Sequence, residues 1–84
     1  MRKVKPGLYK HYKGNIYEVL FLGKESDTEK DVVIYRGLYN SKEFGKNPVW
    51  VRSMKAFAER VKVNGKLVDR FKSISKNNRQ KRNA

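Results

Sequence analysis

The dipeptide Asn64-Gly65, set between Val61-Lys62-Val63 and Lys66-Leu67-Val68, constrains the fold more than any other feature of the chain. Both residues tolerate the positive φ of a type I′ turn, so the flanking segments are predicted to fold back on each other as an antiparallel hairpin. Similar punctuation recurs upstream. Pro6-Gly7 precedes an aromatic strand over Leu8 to Tyr12, and Lys13-Gly14-Asn15 closes a tight turn. Ile16 to Leu22, β-branched and aromatic between Asn15 and Gly23, reads as the best-defined strand. The polar stretch from Lys24 to Asp31 is then a loop, and Val32 to Arg36 a third strand. Asn40-Ser41, Gly45 and Asn47-Pro48 mark a looser region before Val49 to Arg52. Ser53 reads as an N-cap, with Met54, Phe57 and Val61 at roughly helical spacing, which predicts one or two helical turns over Ser53 to Glu59.

Short strands, tight turns and one helical turn predict a mostly β protein, a small antiparallel SH3-like barrel in which closure removes exposed edges. Residues 1–71 form that domain, and residues 72–84, with Ile74 as their one strongly apolar side chain, read as a disordered basic tail. Period-two alternation places Tyr17, Val19 and Phe21 on one face of the second strand, opposite Ile16, Glu18, Leu20 and Leu22. Both faces are largely apolar. Something must cover the second one: the C-terminal hairpin with Leu67, Val68 and Phe71, a second copy of the chain, or a ligand.

Across 84 residues, 21 Lys and Arg stand against 8 Asp and Glu, a formal net charge of +13. Without residues 72–84 the balance is 16 to 8, so the folded part is itself basic. The acids gather at Glu25, Asp27, Glu29 and Asp31, and such a field attracts polyanions. The absence of cysteine excludes a disulfide scaffold, a thiolate nucleophile and a zinc ribbon. No apolar run approaches the ~20 residues of a membrane span, and the N-terminus lacks a secretory apolar stretch, so a cytoplasmic protein without membrane association is expected.

The order Pro6-Gly7-Leu8-Tyr9-Lys10-His11-Tyr12-Lys13-Gly14-Asn15-x-Tyr17-Glu18-Val19-Leu20, then Val33-x-Tyr35-Arg36-x-Leu38-Tyr39, Trp50-Val51-Arg52, Phe57, and Val61-x-Val63-x-Gly65-Lys66-x-Val68-x-Arg70-Phe71 resembles a small bacterial and phage domain family of unknown function. The resemblance covers about residues 6 to 71. It implies a compact β domain, contributes no activity, and fits a phage-encoded or bacterial member acting in the host cell. The acidic loop, the stretch from Ser41 to Pro48 and the basic tail depart from the family pattern.

An enzyme is not expected. His11 is the one side chain with an ordinary pKa near neutrality, and no nucleophile motif or phosphate-cradling glycine loop accompanies it. The alternate acids from Glu25 to Asp31 lack the glycine and the terminal glutamate of a calcium loop, so they read as a solvated polar loop, with no metal and no cofactor. Aromatic residues interleaved with cations carry more information. Tyr9, His11, Tyr12, Tyr39 and Trp50, with Lys13, Arg36 and Arg52, are the side chains that stack on bases and pair with phosphates. Trp50 and Arg52 share one side of their strand, and Arg36 on a neighbouring strand supplies a second guanidinium. Tyr9, Tyr12 and Tyr39, near turns, are expected at the surface. Tyr17, Phe21 and Phe57 are expected in the core, and Tyr35 and Trp50 are open to either role.

These residues predict a non-enzymatic module that binds RNA or single-stranded DNA on an aromatic and basic β face, with Lys76, Arg79, Lys81 and Arg82 tracking phosphates from the tail. Two further readings use the same residues. In one, a small phosphorylated nucleotide occupies the site and is bound or sequestered. In the other, the basic surface docks on an acidic host protein.

Overall fold

A computed structural model describes residues 4–74. Its strands are β1 (Gly7–His11), β2 (Ile16–Lys24), β3 (Asp31–Gly37), β4 (Asn40–Ser41), β5 (Gly45–Lys46), β6 (Val49–Ser53), β7 (Arg60–Val63), β8 (Lys66–Asp69) and β9 (Phe71–Ser73), with one helical turn, α1 (Met54–Phe57), between β6 and β7. Among the described residues the fold is mostly β and antiparallel with a single short helix, the class expected. Five strands form one sheet in the order β6-β3-β2-β1-β9, and β4-β5 and β7-β8 are separate hairpins. Asn64 and Gly65 hold φ of 51° and 81° in the β7-β8 turn, both positive as a type I′ hairpin requires. Ser53 caps α1, its side chain accepting from the Ala56 amide at 3.1 Å.

The sheet is strongly curled. In a flat sheet β6 and β9 would stand four strand spacings apart, roughly 19 Å. Instead the Arg52 guanidinium of β6 lies 5.7 Å from the centre of the Phe71 ring of β9. Side chains join the two ends: Phe57 of α1 stacks on Phe71 with centroids 4.1 Å apart and planes parallel within 1°. Both rings are fully buried, and with Val4, Tyr9, Val19, Val33 and Tyr35 they form the core. Truncating either to alanine costs about 3–5 kcal/mol.

Three expectations are corrected. Phe21 is not a core residue; it is 65% exposed. A bulge at Leu20 shifts the register of β2 against β3, so Val19 faces Tyr35 but Phe21 faces Ile34 and Leu22 faces Val33. One inserted residue turns Phe21 to the convex side. Tyr9 is 5% exposed, its ring edge-on to Phe57 and its hydroxyl donating to the Lys5 carbonyl at 2.8 Å while accepting the Lys5 amide at 3.0 Å. The domain also extends past residue 71. Lys72 and Ser73 pair with Lys10 and Tyr9, and the Ile74 amide donates to the Leu8 carbonyl, so β9 completes the sheet. Lys76, Arg79, Lys81 and Arg82 lie outside the described residues. No helix among the described residues is long and apolar enough to cross a membrane.

Candidate functional site

Directly paired residues on antiparallel strands point to the same face. Tyr35 pairs with Trp50 and Val33 with Arg52, which places Trp50 and Arg52 on the concave side beside the core. Arg36 pairs instead with Val49 and Glu18, on the convex side. Its Nε and Nη2 both donate to the Glu18 carboxylate, at 3.0 and 2.7 Å. The two guanidiniums therefore point apart, and Arg36 does not belong to the concave site. Arg52 is the site's cation.

Around Arg52 lies a cavity of about 180 Å³, lined by His11, Tyr17, Tyr35, Tyr39, Trp50, Arg52 and Phe71. Arg52 Nε donates to the Tyr35 hydroxyl at 3.0 Å, and among the described residues no carboxylate pairs with its guanidinium. The Tyr17 and Tyr39 hydroxyls share a hydrogen bond of 3.3 Å. Burial and that bond push the Tyr17 phenol up to about 12, so it stays a neutral hydrogen-bonding group. Trp50 is half-buried, packed edge-to-face with Phe44 at 5.2 Å, and its indole Nε1–H is shielded from water with no acceptor among the described residues. A buried donor without a partner costs about 1–3 kcal/mol.

Gly37 makes room for this arrangement. A Cβ there would come within 2.2 Å of the Tyr39 ring, so only a glycine lets that ring fold over the cavity towards Tyr17. Tyr17 and Phe71 are site residues that the sequence pattern alone does not mark. Tyr17 does sit in the aromatic core, but its hydroxyl edge reaches the cavity.

His11 forms the rim. Its Nδ1 accepts the Lys13 amide at 3.1 Å, which leaves Nε2 to carry the proton of the neutral ring. Partial burial, then the charges of Arg70, Arg52 and Lys13, hold the imidazole below its ordinary pKa. The ring stacks on Tyr12, which is 40% exposed, and Lys13 Nζ lies 5.9 Å from the Tyr12 ring centre. His11 also borders a larger groove of about 710 Å³ between the sheet and the β7-β8 hairpin, with Lys10, Tyr12, Arg60 and Lys72 among its walls. Lys10 and Lys72 are direct cross-strand partners, two like charges facing each other. Such a pairing is destabilising unless an anion lies between them. Among the described residues neither has a carboxylate partner.

Of the residues singled out in the sequence, His11, Tyr39, Trp50 and Arg52 meet at the cavity, and Tyr12 and Lys13 adjoin it through His11. Tyr9 and Arg36 do not. In the acidic loop, Glu25 accepts the Thr28 amide at 2.8 Å, and hydrogen bonds from Thr28 hold its carboxyl below the ordinary value. Among the described residues, no three His, Cys, Asp or Glu side chains are grouped to hold a metal ion.

The family model for proteins of unknown function named DUF1653 matches residues 7–73. The chain belongs to the DUF1653 family. A crystal structure of a DUF1653 protein from Bordetella bronchiseptica shares 31% identity, superposes with a TM-score of 0.76, and covers 88% of this chain and 91% of that one. Comparison with curated proteins gives no match. The DUF1653 match runs from β1 through β9.

Proposed function

We propose that this protein is a non-enzymatic module that binds single-stranded nucleic acid, RNA or DNA, by seating one base in the cavity around Trp50 and Arg52. The observation that carries the reading is an aromatic-walled cavity holding the Arg52 guanidinium, which has no carboxylate partner among the described residues. Its polar groups are donors or hydroxyls, with no carboxylate, so it favours an acceptor-rich ring edge. At about 180 Å³ it falls below the ~300–1,000 Å³ of pockets that enclose drug-sized ligands, which suits one base with its sugar and phosphates outside. The adjoining groove supplies Lys10 and Lys72 for those phosphates, and the cations at 76, 79, 81 and 82 would extend the track. A stacked base contributes about 1–3 kcal/mol in single-strand binders.

Trp50 is the chain's one tryptophan and reports directly on the site. Titration with single-stranded RNA and DNA oligonucleotides at low salt should quench its fluorescence, and Arg52→Gln should abolish the saturable quench. Mononucleotides binding as tightly as oligonucleotides would replace this reading with one of a small phosphorylated ligand. No response to either class would remove nucleic acid and nucleotide together, leaving a basic surface for an acidic protein.

A further inference from the structure

The bulge at Leu20 produces an apolar stripe straight across the convex face. Phe21 pairs with Ile34 and Ile34 with Val51, one residue from each of β2, β3 and β6, and Val49 stands two residues along from Val51. Phe21 and Val51 are each 65% exposed and Val49 is 60% exposed. Neither α1 nor the β7-β8 hairpin covers them. On a chain of net charge +13 a contiguous apolar row is out of place as plain surface.

The charges at its two ends identify the occupant. Beyond Phe21, residues 24–31 carry four acids against two bases; beyond Val49, residues 36–48 carry three bases against one acid. The face is thus apolar in the middle, acidic at the β2-β3 loop and basic at the end bearing Arg36 and the β4-β5 hairpin. We infer that two copies of this chain pack convex face to convex face about a two-fold axis at the stripe, strands running in opposite directions. That axis sets the acidic end of each copy over the basic end of the other, a self-complementary arrangement. Outside these two ends the chain carries 16 cations against 3 acids, so two copies meeting there would oppose mainly like charges. The stripe is small beside the ~800 Å² per partner of standard stable interfaces, so the dimer is weak and salt-sensitive. The cavity around Trp50 lies on the concave side and stays open in both copies.

Sedimentation equilibrium of the full chain, from low micromolar to millimolar concentration at low salt, tests this. The average mass should climb from 9.9 kDa towards twice that value and fall back as salt is added. Phe21→Lys, at an exposed position that leaves the core untouched, should weaken association by about tenfold or more. The double variant Asp27→Lys/Glu29→Lys should weaken it as well. A 9.9 kDa species throughout overturns the inference and assigns the stripe to a different protein. So does undiminished association of Phe21→Lys, because Phe21 lies two strands from the β6 edge and edge-to-edge pairing would survive its loss.

Discussion

Arg52 Nε donates to the hydroxyl of Tyr35 at 3.0 Å, tying the cation of the concave cavity to a ring that is 3% exposed. Guanidinium position is thereby coupled to the core. Tyr35→Phe removes the acceptor and should cost about 1 kcal/mol in denaturant unfolding. It should also weaken oligonucleotide quenching of Trp50 while leaving the spectrum of the free protein folded. Arg52→Lys keeps the charge but loses the planar fork, and should bind nearly as poorly as Arg52→Gln.

Lys10 and Lys72 face each other across β1 and β9, so their effects on stability and on binding should have opposite signs. Lys72→Gln relieves the repulsion and should stabilise the free protein by about 0.2–1 kcal/mol. The same change should weaken oligonucleotide affinity and flatten its salt dependence by about 0.7 in log K against log salt, one contact's share on a single strand. A variant both less stable and equally tight would separate these lysines from the ligand.

Gly37→Ala places a methyl group where the Tyr39 ring lies. The ring must swing out, breaking the 3.3 Å bond to Tyr17 and unroofing the cavity. Overpacking of this kind costs about 1–3 kcal/mol. Thermal unfolding should record that loss, and Trp50 quenching should weaken beyond what the stability change explains. The Tyr39→Phe variant, which keeps the ring and loses the hydroxyl, should retain most of the binding.

His11 is held below its ordinary pKa by burial and then by Arg70, Arg52 and Lys13. The unfolded chain therefore takes up this proton at a higher pH than the folded one. The sign follows: stability due to the neutral ring is present above pH ~6.5 and is lost as pH falls through the lowered folded value. Denaturant midpoints measured from pH 7 to 5 should decline for the wild type, and His11→Gln should flatten part of that decline.

Removal of residues 75–84 takes away Lys76, Arg79, Lys81 and Arg82. If each neutralises a phosphate, the salt slope on single strands should fall by about 0.7 per cation, close to 3 in all. Saturable quenching of Trp50 should remain, because the cavity is built from residues 11–71.

Local chemistry made most of the fold legible. Asn64-Gly65 announced its hairpin, Ser53 its cap, and the β-branched runs their strands to within a residue or two. What escaped depends on partners distant in sequence. The bulge at Leu20 is set by how β2 meets β3, and alternation counted along β2 alone sends Phe21 to the wrong face. Arg36 looks equivalent to Arg52 until register pairs one with Val49 and the other with Val33. Tyr9 sits beside turn residues, as a surface tyrosine would, but Phe57 and the Lys5 backbone draw it inside. β9 was hidden because Lys72 and Ser73 are polar; their place in the sheet comes from backbone pairing with β1 and from Phe71 next to them.

The stack of Phe57 on Phe71 bridges the ends of the rolled sheet through rings, while every neighbouring strand pair inside the roll is laced by amide hydrogen bonds. Rings can part without breaking a ladder, at the expense of core packing between two fully buried side chains. Arg52 stands on one lip and Phe71 on the other, so a slight unrolling would widen the mouth of the chamber they share. A guest too large for the resting shape could enter by that route, with the rest of the domain left in register.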